Sequence, residues 1–497
     1  MADVQDDWST DSNNAINISL VVPGEGGLKT LHSFNPKMTY SIFGEAEKIF
    51  GYQGLKINLR YNACDMRPGL QIMYTKKFKT VGETSPTDLK EILEPYLPKT
   101  AFEKSIVFDA ALRDASYATW RPPGQLWKTI EADGRTMEIW KGSMADLAVQ
   151  QMVKRVQILV PLFIEGGTPL GLDDPEWSME RWTVFFLYQK ANHPAPSISP
   201  YTFMGYSTVY RYFLYQPILP PTSLSEKKKP ISHPATLDFK LPSTENITFS
   251  SLPCRSRISQ FVILPPFHGG GNGSRFYNSI FEFYSQERQT IEITVEDPNV
   301  DFDDLRDIND LLHLRTLPQF TSLRINTNAT PRAKGPVPRD IIDLDALEKL
   351  RTKVKIAPRQ FYRVMEMQLL SAIPLGIRQS MIEERIKLQG PELVAKKKEY
   401  HLWQLFVKKR LYRHNKDTLM QLDRTERIDK LEEALGSVEA DFARLLREVD
   451  KRSGKKVAES NVNGASTNGS GTAKRSSPDE AAETSEEPVT KRVKFAE

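Results

Sequence analysis

A glycine-rich loop between a buried strand and an amphipathic helix constrains the fold of this chain more than any other feature. The loop, Phe267 to Ser274, follows a short buried strand predicted at Gln260–Leu264 and precedes a helix predicted to end near Tyr284. A second strand is predicted at Thr290–Val295, with a second helix after it. Two strands joined by such a helix favour a right-handed parallel crossover, while neighbouring hairpins make the sheet mixed. The sequence therefore predicts an α/β (α+β) fold.

The four glycines of this loop suit a phosphate ligand, because they let successive backbone N–H groups converge at the positive end of the helix. A Walker loop would end in Gly-Lys-Ser/Thr, and the dinucleotide fingerprint needs a glycine where Phe276 stands. What remains is Gly271-x-Gly273 with His268 three residues earlier. That pattern matches the Gln/Arg-x-x-Gly-x-Gly/Ala pyrophosphate loop of the Gcn5-related acetyltransferases. The alternative is a flexible loop without a ligand.

Carboxylates stand where a nucleophilic amine would need them. Glu296 and Asp297 follow the second strand, which Pro298 ends, and ligands of such sheets occupy this edge. A lysine is protonated at pH 7, so its attack on a thioester needs a base. Alternatively, Asp297 caps the next helix and Glu296 is solvated. Glu165, after the apolar residues 158–164, is either paired structurally or directed into a cleft.

Two features suit a basic peptide. Seven carboxylates lie between Glu296 and Asp310 against the single basic residue Arg306, and they would attract positive charge. Some of them can instead serve only to stabilise a helix N-terminus. Tyr210-Arg211-Tyr212 lies on a predicted aromatic strand and can support an extended peptide, unless these tyrosines are simply half-buried.

Composition and charge exclude several classes of protein. The two cysteines, Cys64 and Cys254, cannot form a disulfide framework or a four-ligand zinc site, which indicates a reducing compartment and no metal. A net charge of +4 is too small to indicate direct nucleic-acid binding. The most apolar run, 158–164, is far shorter than the ~20 residues of a membrane span, and the amino terminus lacks a signal-peptide pattern. We expect an intracellular protein with no membrane partner.

The ends of the chain and one internal stretch read as irregular. Residues 1–29 are predicted to form an acidic flexible segment. The proline-rich residues 216–253 are predicted to form a long surface insertion. Residues 453–497 are predicted to form a disordered tail, since 453–490 lack Leu, Ile, Phe, Tyr and Trp. The tail carries the basic cluster Lys491-Arg492-Val493-Lys494, of a kind that nuclear import receptors bind.

The last ordered part of the chain, residues 326–452, is predicted to be a helical domain. Its final helix has apolar residues at alternating steps of three and four, which is a heptad seam. The seam consists of Ile428, Leu431, Leu435, Val438, Phe442, Leu445 and Val449. It predicts either packing within the domain or an intermolecular coiled coil.

Six sequence blocks, in this order, resemble the catalytic subunits of type B histone acetyltransferases in a fungal-looking form. The blocks are Gly51-Tyr52-Gln53-Gly54-Leu55-Lys56, Phe163-Ile164-Glu165, Glu180-Arg181-Trp182, Gly205-Tyr206-Ser207-Thr208-Val209-Tyr210, the glycine loop, and Thr294-Val295-Glu296-Asp297-Pro298. The resemblance covers about residues 30 to 450. It implies an acetyl-CoA-binding acetyltransferase core at 166–325, an additional α/β domain at 30–165 and the helical domain at 326–452.

The resemblance also implies roles for individual residues. Glu296 matches the general base, and Glu165 and Asp297 match the carboxylates beside it. The implied acetyl-CoA contacts are Phe261, Val262 and Ile263 for the pantetheine arm, His268, Gly269, Gly270, Gly271, Asn272, Gly273 and Ser274 for the diphosphate, and Asn299 and Phe302 for the remainder. The implied contacts to the histone tail are Glu45, Glu47, Tyr210, Arg211 and Tyr212. His268 replaces the commoner glutamine, and Ile308 stands where some relatives carry a basic residue.

The function implied by the resemblance is acetyl transfer from acetyl-CoA to lysines in the tail of newly synthesised histone four, alone or with histone three. The lysine would attack directly in a ternary complex, before chromatin assembly, in the nucleus and cytoplasm. The implied partners are a WD40-repeat histone-binding subunit and, through the basic cluster, an import receptor. Two alternatives stay open: acetylation of polyamines or non-histone lysines, and a non-catalytic scaffold that binds coenzyme A and histones.

Overall fold

The computed structural model describes residues 8–172, 176–192, 198–214, 252–332, 336–374, 376–377 and 391–454. The chain divides into two compact units, one formed by residues 1–309 and 344–361 and the other by 310–343 and 362–497. All but the end of the predicted insertion at 216–253 lies outside the described residues, as does the predicted tail from residue 455 with its basic cluster.

The strands all belong to the first unit, within the described ranges. In chain order they are β1 (Ser9–Asp11), β2 (Ile16–Gly24), β3 (Gly27–Phe34), β4 (Lys48–Phe50), β5 (Tyr52–Gln53), β6 (Lys56–Asn62), β7 (Pro68–Met73), β8 (Lys76–Lys77), β9 (Gln125–Ala132), β10 (Arg135–Ser143), β11 (Trp182–Lys190), β12 (Tyr201–Phe213), β13 (Cys254–Ile263) and β14 (Thr290–Val295).

The helices are shared between the two units. In chain order they are α1 (Ser12–Ala15), α2 (Tyr40–Phe43), α3 (Leu89–Leu93), α4 (Ser105–Leu112), α5 (Leu147–Val156), α6 (Leu159–Phe163), α7 (Glu176–Met179), α8 (Asn272–Gln286), α9 (Val300–Leu314), α10 (Pro318–Thr321), α11 (Leu344–Val354), α12 (Pro358–Ser371), α13 (Pro391–His414), α14 (Lys416–Leu419) and α15 (Arg424–Arg452). In the ranges that the structure describes, none of these helices is long and apolar enough to cross a membrane.

A four-stranded sheet, ordered β3-β2-β6-β7, corrects the prediction for the amino terminus. Strand β2 lies inside this sheet, and its residues Ile18 and Leu20 are completely buried. The predicted flexible segment at 1–29 is therefore wrong for residues 9–29, which form strands and a short helix. Acidic residues at 3–11 suggested solvation, but the alternating apolar residues from Ile16 onward can be buried on a sheet.

A six-stranded mixed sheet, ordered β14-β13-β12-β11-β10-β9, carries the glycine loop. Strands β13 and β14 are parallel and the other neighbours are antiparallel. Because α8 joins the two parallel strands, the predicted parallel connection and the predicted α/β (α+β) class are confirmed, while the right-handed sense of the crossover stays a prediction. The sheet includes β9 and β10, so it extends across residue 165, where a domain boundary was predicted. The other predicted domain limits stay predictions.

The residues between Ser143 and Ile164 form two helices, α5 and α6, and not one continuous helix. Ser143 is the last residue of β10, and Asp146 caps α5 by accepting a hydrogen bond from the Ala148 N–H at 2.8 Å. The helix then breaks near Gln157 before α6 begins. Pro161 explains the break, because its ring has no N–H to donate to residue 157 and clashes with that carbonyl.

The helical residues of the second unit bury most of the heptad seam. Helices α13 and α15 are joined by the Tyr400 hydroxyl, which donates to the Glu439 carboxylate at 2.6 Å. The seam residues Leu435, Phe442, Leu445 and Val449 are buried within the chain itself, whereas Ile428, at the beginning of α15, is 49% exposed. The seam is therefore intramolecular over its carboxyl-terminal part.

Candidate active site

The six-stranded sheet opens between β13 and β14. Their parallel ladder ends at the pair Ile258 and Val295, after which the Glu296 N–H donates to the Ile258 carbonyl at 2.8 Å. Strand β13 nevertheless continues to Ile263, and no strand of the described residues pairs with its outer edge beyond Ile258. The backbone of this edge can therefore pair with an extended ligand.

A β-bulge occurs at the point where the sheet opens. Thr208 of β12 faces Gln260, and the next residue, Val209, faces Ile258, so that Ser259 is an extra residue on β13. The Gln260 N–H donates to the Thr208 side-chain hydroxyl at 3.1 Å. Bulges change the direction of side chains at functional edges. Here the Ser259 hydroxyl donates to Oε2 of Glu296 at 2.5 Å.

Glu296 is held at the opening by polar neighbours. Besides the Ser259 hydroxyl, Nη2 of Arg257 lies 3.6 Å from Oε1 of Glu296. Burial, followed by the negative charge of Glu296, raises the pKa of the nearby Tyr210. The Glu296 side chain keeps 36% exposure, so the carboxylate is oriented by protein donors and still accessible to a substrate. A general base must be reachable by its substrate, and the accessible carboxylate of Glu296 meets that one requirement.

The residues that follow Glu296 have distinct roles. Asp297 is exposed and has a φ of 33°, in the left-handed region that costs a non-glycine residue about 1–2 kcal/mol. The Asn299 side chain accepts a hydrogen bond from the Phe302 N–H at 2.9 Å and so caps α9. The alternative that Asp297 caps this helix is therefore wrong. Asn299, predicted to contact acetyl-CoA, is the capping residue.

Glu165 lies on a turn held beside the same part of β13. The Gly166 N–H donates to the Tyr40 hydroxyl at 2.8 Å, and Nε2 of Gln260 donates to the Thr168 carbonyl at 2.9 Å. Glu165 itself is exposed. The structure thus brings the Glu165 turn and Glu296 to neighbouring residues of one strand, Gln260 and Ser259 respectively.

The glycine loop adopts a backbone that few other residues tolerate. Gly269, Gly270 and Gly271 have φ angles of 74°, 53° and 77°, all in the left-handed region. Gly271 is the N-cap residue of α8 and offers no side-chain cap, so the positive end of that helix is open to an anion. His268 is exposed, and its Nε2 hydrogen-bonds the Ile263 carbonyl at 2.7 Å, which joins the loop to the end of β13.

The remaining residues predicted to contact acetyl-CoA pack the loop onto helices. Asn272 donates to the Phe267 carbonyl at 2.9 Å, and the Ser274 hydroxyl accepts from Asn309 at 3.0 Å. A Cβ atom at Gly273 would lie 2.9 Å from Cδ1 of Leu305, so glycine permits this close approach. Of the three strand residues, Val262 is buried, while Phe261 and Ile263 are partly exposed. The Phe302 ring lies 5.1 Å from the Phe261 ring, between centroids.

One predicted tail contact, Glu47, is engaged inside the protein. Its carboxylate accepts hydrogen bonds from the Thr39 N–H at 2.6 Å, the Tyr40 N–H at 3.1 Å and the Asn13 amide at 2.8 Å. These bonds, that of the Thr39 N–H first, lower the pKa of Glu47. Glu47 therefore stabilises the start of α2. Glu45, by contrast, is exposed.

The aromatic segment of β12 divides between the two faces of its strand. Tyr210 packs against Trp182, with ring centroids 4.8 Å apart, and Tyr212 is 57% exposed. Arg211 lies between them in sequence and its side chain therefore points to the opposite face. There its Nη2 donates to Glu287 at 2.5 Å. The two tyrosines remain candidates for peptide contact, whereas Arg211 has a structural partner.

Sequence reasoning missed three residues of the site: Arg257, Ser259 and Arg275. Alternation along β13 is a signal that would have placed the first two on the side of Glu296. Arg275 follows the glycine loop directly, and it donates to the Gly270 carbonyl at 2.5 Å. No metal site accompanies these groups: within the described ranges, no three acidic, cysteine or histidine side chains are clustered closely enough to hold an ion.

The arrangement defines a class of protein. The core is like that of the Gcn5-related acetyltransferases. It consists of a strand with a bulge, a glycine loop, a helix and a parallel strand that diverges beside a carboxylate. Comparison with protein families gives two matches: "Histone acetyl transferase HAT1 N-terminus" over residues 8–165 and "Fungal HAT1, C-terminal" over residues 337–373.

Relatives over most of the chain agree with this class. Three proteins named "Histone acetyltransferase type B catalytic subunit" are similar to it. That of Gibberella zeae is 48% identical over 453 residues (89% of this chain, 91% of the relative). That of Pyricularia oryzae is 46% identical over 447 residues (90% and 92%), and that of Neurospora crassa is 42% identical over 466 residues (90% and 89%).

The chain belongs to the family of histone acetyltransferase type B catalytic subunits. It is therefore a histone acetyltransferase, and acetyl-CoA is the general co-substrate of acetyltransferases.

Proposed function

We propose that this enzyme acetylates lysines in the amino-terminal tail of newly synthesised histone four, with Glu296 as the general base. One observation carries the proposal. Glu296 lies where β13 and β14 separate, and the Ser259 hydroxyl donates to its carboxylate at 2.5 Å. It therefore stands at the entrance to an open strand edge that leads toward the glycine loop.

The open edge of β13 suits the extended pantetheine arm of acetyl-CoA. Backbone groups of residues 261–263 can pair with its amides as a neighbouring strand would. The exposed glycines 269–271, at the positive end of α8, suit the diphosphate. Asn299 and Phe302, at the start of α9, would lie beside the rest of the molecule. No side chain fills the N-cap position of α8, which supports this fit.

The chemistry follows from these positions. The Glu296 carboxylate removes a proton from the lysine ammonium, and the neutral nitrogen attacks the thioester carbonyl carbon. A backbone N–H of residues 261–263 stabilises the negative charge that develops on the carbonyl oxygen. The new carbon–nitrogen bond forms as the carbon–sulfur bond breaks, and the departing thiolate takes up the proton that the nitrogen loses. Glu165 and Asp297 hold the ammonium near Glu296 by charge attraction.

The surroundings of the site suit a basic peptide. Tyr210 and Tyr212 share one face of β12 beside Arg257 and Glu296, and Glu45 is exposed. Histone tails are extended and rich in lysine, so an aromatic surface with nearby carboxylates complements them. The wider proposal follows the family resemblance. The enzyme would work with a WD40-repeat histone-binding subunit, would act before chromatin assembly, and would be present in the nucleus and the cytoplasm. The cluster at 491–494 would bind an import receptor.

Replacement of the base tests the proposal. Glu296→Gln should lower kcat by ~10²–10⁴-fold, which is about 3–5 kcal/mol of barrier, and leave the Kd for acetyl-CoA unchanged. Glu292→Gln is the matched control, since Glu292 lies on β14, the strand that Glu296 directly follows, and is paired with Arg255 and Arg351. It should keep a kcat close to that of the wild type. A near-normal rate for the Glu296 variant would remove this residue from the base role.

Substrate choice has a separate test. Histone four tail peptide, spermidine and a lysine peptide of unrelated sequence compete for one limiting pool of labelled acetyl-CoA. The proposal predicts that most label enters the tail peptide. Preferential labelling of spermidine or of the unrelated peptide would favour the alternative substrates.

A further inference from the structure

Arg275 connects the glycine loop to the β9–β10 hairpin, which is distant in sequence. Its Nη1 donates to the Gly270 carbonyl at 2.5 Å, and its Nη2 lies 3.1 Å from Oδ2 of Asp133. Asp133 is 142 residues away in sequence, at the tip of the β9–β10 hairpin. Gly270 and Asp133 both lie outside α8 (Asn272–Gln286), so neither contact is a backbone hydrogen bond of that helix.

The β9–β10 hairpin that carries Asp133 has a defined turn. Its turn consists of Asp133 and Gly134, with φ angles of 53° and 70°, between the paired residues Ala132 and Arg135. Two left-handed residues form the turn type that matches the twist of antiparallel strands. The hairpin is also anchored along α8, because the Trp127 indole donates to the Ser279 carbonyl at 3.2 Å.

The Arg275 contact determines the direction of a backbone donor. Across a trans peptide the carbonyl of one residue and the N–H of the next point in opposite directions. When Arg275 holds the Gly270 carbonyl, the Gly271 N–H must therefore point away from the guanidinium. Exposed glycines with a left-handed backbone lose more conformational entropy on ordering than any other residue. A loop that is already oriented does not incur that loss when it binds a ligand.

We propose that the Arg275–Asp133 ion pair is a positioning device that orients the glycine loop for the diphosphate of acetyl-CoA. The proposal rests on the proposed function, in which this loop binds the diphosphate. Arg275 acts on the loop backbone through Gly270, and Asp133 acts only by holding Arg275. The pair is well exposed, with 30% of the Arg275 and 69% of the Asp133 side chain accessible, so its own contribution to stability is small.

The expected effects follow this order of action. Arg275→Ala should raise the Kd for acetyl-CoA about tenfold, the change that corresponds to about 1.4 kcal/mol. Asp133→Ala should raise it about threefold, since an exposed ion pair contributes at most about 1 kcal/mol. Asp133→Glu keeps the carboxylate and should restore binding. Melting temperatures should stay close to that of the wild type.

A diphosphate-free donor separates positioning from general damage. Each variant is assayed for kcat/KM with acetyl-CoA and with S-acetylpantetheine, and acetyl-CoA binding is measured by calorimetry. The proposal predicts a loss with acetyl-CoA only. Equal losses with both donors, unchanged binding, or tighter binding after Asp133→Ala would each overturn it. If the wild-type protein does not bind acetyl-CoA, the proposed function fails as well. If the wild-type protein binds acetyl-CoA and the variants bind it equally well, only the positioning role of the Arg275–Asp133 ion pair is refuted.

Discussion

Removal of the Ser259 hydroxyl tests whether the bulge on β13 orients the base. In Ser259→Ala, the carboxylate of Glu296 loses a donor that lies 2.5 Å away, while Arg257 remains 3.6 Å from its other oxygen. A hydrogen bond to a charged group contributes about 1.5–3 kcal/mol. Because the Glu296 side chain is 36% exposed, water replaces part of this bond, and about 1–2 kcal/mol remains.

That remainder corresponds to a decrease of about 5–30-fold in kcat, at 1.36 kcal/mol for each factor of ten. The Kd for acetyl-CoA should not change, since the glycine loop is untouched. Steady-state kinetics with a histone four tail peptide and calorimetry with acetyl-CoA measure the two quantities. Ser259→Thr is the matched control, because threonine keeps the hydroxyl and suits a strand.

A double-mutant cycle completes the test. If Ser259 acts through Glu296, adding Ser259→Ala to Glu296→Gln should slow the enzyme little further, since the two residues act as a unit. The reasoning is refuted by a full rate in Ser259→Ala, by a threonine variant as slow as the alanine variant, or by additive losses in the double variant.

Two further predictions concern buried and capping carboxylates. Glu366 is fully buried and binds the Arg410 guanidinium through two hydrogen bonds of 2.8 and 2.7 Å. Glu366→Gln should therefore lower the free energy of unfolding by about 2–4 kcal/mol, whereas Glu432→Gln, at the more exposed ion pair with Lys408, should lower it by less than about 1 kcal/mol. Urea titrations measure both losses, and equal losses would contradict the prediction. The pKa of Glu47 is lowered, chiefly by the hydrogen bond from the Thr39 N–H, so Glu47 stabilises the fold fully above the ordinary carboxyl pKa range and loses this effect as pH falls through its folded pKa. Between pH 6 and pH 2, the free energy of unfolding should therefore decrease less in Glu47→Gln than in the wild type. An identical dependence on pH in both proteins would refute the stabilising role of Glu47.

Much of the core could be predicted from local pattern. Three elements could be recognised by the spacing of their apolar residues: the strand before the glycine loop, the helix after it and the strand before Glu296. That spacing depends only on near neighbours in sequence. The glycines were informative for the same reason, because their φ angles are a local property. The family resemblance added roles to these residues, and the relatives confirmed the family.

Expectation and structure differ where contacts depend on distant partners. Residues 9–29 looked solvated, yet β2 pairs with β6, which lies some forty positions further along the chain. Glu47 was predicted to contact a peptide, but three donors from residues 13, 39 and 40 surround its carboxylate. Arg211 has the same sequence neighbours as the tyrosines beside it. Its side chain nevertheless points to the opposite face of the strand, where it binds Glu287.

The amino-acid order by itself determined the local elements: a strand, a left-handed glycine turn, a helix and a carboxylate after a second strand. Only the tertiary structure decided what surrounds them. The Ser259–Glu296 bond joins residues 37 apart and the Arg275–Asp133 pair residues 142 apart. Such contacts depend on strand register and on a bulge of one residue, and shifting either by one position turns the side chains to the opposite face.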